Sequence, residues 1–186
     1  MNKQTIYLIP GRNVKFSGLI GSLIIENGHA ILGREVVDTF SKLRISEQTK
    51  LIQEDITTHF WHQEAKLVAQ SYGAYLLIHA LIEMETPFPG KVLLLSPVLG
   101  ASSSATNKVV ACPPRHKKLI QTARENKLPH LDIEVHTGEH DNGCDPLLAQ
   151  EIFTTIPTSR FHIVKNMGHN LEVDYVRAAL NNFFCK

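Results

Sequence analysis

Cysteine occurs three times and tryptophan once among 186 residues. Cys112, Cys144 and Cys185 are an odd and sparse set, which excludes a disulfide framework and points to reduced thiols in a cytoplasmic setting. Charge of one sign is also missing. Nineteen Lys and Arg face eighteen Asp and Glu, for a formal net charge of +1. No electrostatic case follows for nucleic acid, a membrane surface or another polyanion as partner. Within that balance, the basic run Arg115-His116-Lys117-Lys118 reads as a solvated helix start. No apolar run approaches the ~20 residues of a membrane span. The apolar segment from Gln4 to Pro10 is too short for a signal core and meets a glycine turn at once. The expectation is one soluble domain, residues 1–186, able to bury roughly 70% of its unfolded surface.

What is present is a regular alternation of apolar strands and amphipathic helices. Thr5 to Ile9, His29 to Gly33, Lys66 to Gln70, Val92 to Leu95, Leu131 to Val135 and Arg160 to Val164 read as strands. Ser17 is the expected cap of a first helix with Leu19, Ile20, Leu23 and Ile24 on one face and Gly28 beyond its end. Ser46 is the expected cap of a second, where Ile52, Ile56 and Phe60 recur every four residues. A third runs from Tyr72 to about Glu85, stopped by Pro87 and Pro89. The last begins near Leu171 and turns Val173, Val176, Leu180 and Phe183 inward. Such alternation implies an α/β fold with a mostly parallel sheet covered on both faces. In these sheets chemistry collects where strands end at their carboxyl side.

Three segments follow strands and carry reactive side chains. Ala69-Gln70-Ser71-Tyr72-Gly73 joins a strand to a helix, with small residues two before and two after a serine. A tight strand-to-helix turn that lifts a hydroxyl out of a sheet needs small neighbours there. The alternative is a serine that merely caps the helix. A serine hydroxyl needs a base, ordinarily a histidine oriented by a carboxylate. Asn166-Met167-Gly168-His169 follows the last strand, which makes His169 the expected base among ten histidines. Thr137 to Pro146 follows the strand before it and holds Glu139, Asp141 and Asp145. Asp141, in mid-loop, is the expected orienting acid. Asp145 precedes a proline and reads as a helix cap, and Glu139 as a solvated side chain. The expected oxyanion donors are the backbone N–H groups of Tyr72 and of Arg12, the latter in the loop after the first strand.

Together Leu8-Ile9-Pro10-Gly11, Ala69 to Gly73, Gly138-Glu139-His140-Asp141 and Gly168-His169-Asn170-Leu171 resemble the α/β-hydrolase superfamily, in its small, nearly lidless serine-hydrolase members. The resemblance runs from Tyr7 to Leu171. It implies six core strands in spatial order 2-1-3-4-5-6 and the chain order serine, acid, histidine. The sequence departs from the family pattern with Ala69 in place of glycine, and with Pro10-Gly11 where many members carry His-Gly.

The polar stretch between Val98 and Pro114 stands where such folds place a lid, and its shortness favours a small acyl substrate. His136, His140 and Cys144 recur at intervals of four and would share a face of a helix, a spacing that suggests zinc. Gly138 and Gly143 argue instead for a loop, so no metal and no cofactor is expected. The expected function is hydrolysis of a carboxylic ester, thioester or related acyl bond. Acyl transfer to another acceptor and a non-catalytic binding role remain open.

Overall fold

A computed structural model describes residues 4–99, 115–143 and 145–186. Six strands form one sheet: β1 (Thr5–Ile9), β2 (Ala30–Gly33), β3 (Lys66–Gln70), β4 (Lys91–Leu95), β5 (Asp132–Gly138) and β6 (Arg160–Val164). Their order is β2-β1-β3-β4-β5-β6, and every pairing is parallel. This is the order implied by the family resemblance. Alternate residues serve opposite faces. Tyr7, Ile9, Leu67, Ala69, Leu94 and Val135 join a core built with α3 (Ile45–His59), α4 (Tyr72–Ile82), α5 (His116–Arg124) and α6 (Pro146–Phe153). Ile6, Leu8, Val68, Leu93 and Leu95 join a second core with α1 (Leu19–Glu26) and α7 (Val173–Cys185). Burial on both faces explains why the central strands read as unbroken apolar runs.

Helix starts differ from the sequence-based expectations. Gly18, not Ser17, stands at the N-cap of α1, and Arg44, not Ser46, at that of α3. At α3 the work is done by Glu47, whose carboxylate accepts the Arg44 N–H at 2.8 Å. Leu19 and Val173 are exposed rather than inward, because α1 and α7 each begin on a solvent-facing residue. α4 ends at Ile82, three residues short of the expectation. A short helix, α2 (Asp38–Lys42), was not anticipated; it buries none of its residues and so leaves no periodic apolar signature. β5 extends through His136, Thr137 and Gly138, paired with β6 from Glu134↔Arg160 to Gly138↔Val164. His136 is therefore on a strand, where a spacing of four has no ligand geometry, and His140 is in a turn. Cys144 lies outside the described residues, as does the expected lid from residue 100 to 114. No described helix is long and apolar enough to cross a membrane.

Candidate active site

β3 is central in the sheet and stops at Gln70; α4 begins at Tyr72. The reversal is made by Ser71 alone, with φ 53° and ψ −120°. Non-glycine residues rarely adopt positive φ, and such strain persists only where the surroundings enforce it. Here the Ser71 N–H donates to the Leu95 carbonyl at 2.9 Å, and the Ser71 carbonyl accepts the Val98 N–H at 3.3 Å. Gly73 is obligatory for closeness: a Cβ there would stand 2.3 Å from the carbonyl oxygens of both Ile9 and Pro10. The Ser71 side chain makes no capping bond to α4. Its Oγ lies 2.9 Å from His169 Nε2 instead.

His169 follows β6, and its Nδ1 lies 2.8 Å from Asp141 Oδ1. With Nδ1 protonated and donating to the carboxylate, Nε2 is left to accept from the Ser71 hydroxyl. Asp141 has a fully buried side chain. Its Oδ1 also accepts the Gly143 N–H at 2.8 Å, and its Oδ2 the Thr137 hydroxyl at 3.0 Å. The loops carrying acid and imidazole are laced together. Glu139 N–H donates to the Val164 carbonyl and His140 N–H to the Met167 carbonyl, at 2.9 and 2.8 Å. Glu139 is not merely solvated: its carboxylate accepts the Asn166 N–H at 3.0 Å. Asp145 caps α6, accepting the N–H groups of Leu147 and Leu148, with Pro146 at the first helical position.

Thr137 and Gly143 were not singled out in the sequence. A signal existed in their placement four before and two after Asp141, where short side chains and backbone reach a carboxylate locally. Gly143 has a second role. A Cβ on it would come within 2.6 Å of His169 Nδ1. Gly143→Ala is expected to turn the imidazole away from Ser71 and lower kcat at least tenfold, with a small change in melting temperature. Steady-state kinetics beside a thermal melt checks the pair.

The β1 loop closes the other side of Ser71: a Cβ on Gly11 would stand 3.4 Å from that of Ser71. The next residue, Arg12, stacks its guanidinium 4.6 Å from the Tyr72 ring centroid. The N-terminus of α4, whose first N–H groups lack partners within the helix and whose dipole end is positive, opens at Tyr72. The structure thus brings Ser71, Tyr72, Arg12, Asp141 and His169 to one end of the sheet, from four separate segments.

No protein-family model and no curated protein matches the sequence. Solved structures do match in fold. Est1E from Butyrivibrio proteoclasticus superposes with a TM-score of 0.69 at 12% identity, over 98% of this chain and 87% of that one. A monoacylglycerol lipase from Paleococcus ferrophilus gives 0.65 at 13% identity, over 97% and 93%. A serine hydrolase involved in carbazole degradation, CarC, gives 0.65 at 12% identity, over 98% and 92%.

Proposed function

We propose that this chain, whose fold is that of the α/β-hydrolases, is a serine hydrolase of small carboxylic esters, thioesters or related acyl compounds. The observation that carries the reading is the continuous chain from Ser71 Oγ to His169 Nε2 at 2.9 Å and from His169 Nδ1 to Asp141 at 2.8 Å. In this reading His169 takes the Ser71 proton as Oγ attacks the acyl carbonyl. Asp141 holds the imidazole in the required tautomer and stabilises the imidazolium that forms. The tetrahedral oxyanion accepts the backbone N–H groups of Tyr72 and Arg12. Collapse expels the alcohol or thiol, which takes the proton from His169 and leaves an acyl-enzyme on Ser71. Water, activated by the same imidazole, releases the acid. An acceptor other than water would make the same site an acyltransferase. No step draws on a metal or cofactor.

The likeness of fold to a monoacylglycerol lipase and a serine hydrolase supports this class, and the substrate within it is a matter for assay. Purified protein should turn over some member of a panel of short- and long-chain p-nitrophenyl esters and acyl thioesters, with Ser71→Ala at the background rate. A well-folded protein that hydrolyses none of the panel and binds the compounds unchanged would instead indicate a binding protein on the same fold.

A further inference from the structure

On the face of the sheet that packs α7, β5 and β6 carry a polar cluster that the acyl chemistry does not use. The register sets His136 beside His162, and Glu134 precedes His136 by one strand repeat on the same face. We propose that Glu134, His136 and His162 form a binding site for a divalent transition metal of the zinc type, which ties β5 to β6. The inference is independent of the role given to Ser71.

Three observations carry it. Glu134 Oε1 lies 3.3 Å from His136 Nε2 and 3.4 Å from His162 Nε2. Tetrahedral zinc with bonds of about 2.0–2.1 Å separates its ligands by about 3.3–3.4 Å along each edge. All three ligand atoms lie within 4.8 Å of one another. Second, His136 Nε2 is buried and makes no well-aligned hydrogen bond, with the Glu134 carboxylate oxygen 3.3 Å away. Buried polar atoms are rarely left so. Third, the other imidazole nitrogen is already fixed: His136 Nδ1 lies 2.7 Å from the Tyr175 hydroxyl on α7. Where the hydroxyl accepts from Nδ1–H, the Nε2 lone pair is the one left to ligate.

The carboxylate is divided between two tasks. Arg160 Nε at 3.2 Å and Lys186 Nζ at 2.6 Å donate to Oε2, leaving Oε1 toward the imidazoles. Burial alone would raise the Glu134 pKa, but these two cations outweigh it and hold the value at about 2. They also oppose a second positive charge, so the site is of moderate affinity. The two rings stack with centroids 4.4 Å apart. Closing on a metal requires His162, 45% exposed on the edge strand, to tilt toward His136. The fourth position is then open to water.

The test uses the full chain freed of metal by chelator. Titration with Co²⁺, followed by visible absorption of the tetrahedral ion, and with Zn²⁺ by calorimetry should each give one site per chain. Zn²⁺ should raise the melting temperature of the wild type. His162→Ala and Glu134→Gln should each weaken binding at least tenfold and abolish the thermal shift, while His140→Ala should change neither. Absence of stoichiometric binding by the folded wild type overturns the proposal. So does binding that survives in His162→Ala, whose half-exposed side chain can be removed without opening the core.

Discussion

Asp141→Asn is expected to lower kcat by up to about 10⁴, with the fold intact. Removal of the negative charge deprives the imidazolium of its partner, and a flipped amide selects the wrong tautomer. With the amide nitrogen in place of Oδ1, Thr137 still donates to the remaining oxygen, while the nitrogen faces His169 Nδ1 and the Gly143 N–H. Asp145→Asn, four residues on, is the contrasting case. Asparagine also caps helices, so stability should change by less than about 1 kcal/mol and kcat hardly at all. The reverse ranking in kcat would refute the choice of acid. A fluorophosphonate probe reports the same machinery without a substrate. Labelling needs an activated oxygen together with donors for the phosphoryl oxygen, each worth about 3–4 kcal/mol. Intact mass should show one adduct on wild type, none on Ser71→Ala, and a greatly slowed reaction on His169→Ala. A well-folded wild type that takes no label would remove the enzyme reading.

Acidification of the metal-free chain from pH 6.5 toward 4 is expected to destabilise it steeply, through two histidines that take no part in the chemistry proposed for Ser71. His79 on α4 is fully buried, and neither of its ring nitrogens has a hydrogen-bond partner among the described residues. Its only aromatic neighbour among them is Tyr75, edge-on at 4.5 Å. Burial pushes its pKa down to about 4, as it does that of His136. Both values lie below the ~6.5 of an unfolded histidine. Below pH 6.5 the unfolded chain therefore takes up protons that the native chain refuses, so stability is full above that pH and falls as pH drops toward 4. Each histidine contributes a slope of about 1.4 kcal/mol per pH unit. Over the 1.5 units from pH 6.5 to 5 the pair removes about 3 kcal/mol, since the unfolded histidine is only half protonated at the start, a large share of the roughly 5–15 kcal/mol typical of a folded domain. Below about pH 4.5, Glu134 adds to the loss, since its folded pKa is depressed to about 2. His79→Leu should raise the melting temperature at pH 7, by removing two unsatisfied nitrogens at about 1–3 kcal/mol each against some loss of packing. It should also roughly halve the slope between pH 6.5 and 5. A wild-type melting temperature that is flat over this window would contradict the account.

The central strands were legible because doubly buried parallel strands are short apolar runs, and β1 and β3 have the expected bounds; the edge strand β6 has them too, without that burial. Ser71 was legible because its turn demands small neighbours, which leaves a mark in sequence. The caps of α1 and α3 were not, since a glycine backbone and a glutamate reaching back replace the expected serines. β5 was cut short at Val135 because His136, Thr137 and Gly138 carry no apolar side chain, though all three are buried. The same residues show the limit of spacing as a guide. His136 was grouped with His140 and Cys144 by their intervals, whereas its neighbours are Glu134, two residues earlier, and His162 on the next strand. Register between strands is a long-range property, and no local pattern encodes it.

The residues proposed for catalysis are unequally anchored. Ser71 rises from the middle of the sheet, between β3 strand residues and an α4 that are buried almost throughout. His169 hangs from β6, an edge strand with no fully buried residue. Sheet margins open at lower free energy than sheet centres. Fraying of this margin would carry the imidazole away while the nucleophile kept its strained backbone and the rest of the molecule stayed folded. Inactivation and unfolding are thus separable events here, with the weaker of the two thresholds set by the last strand.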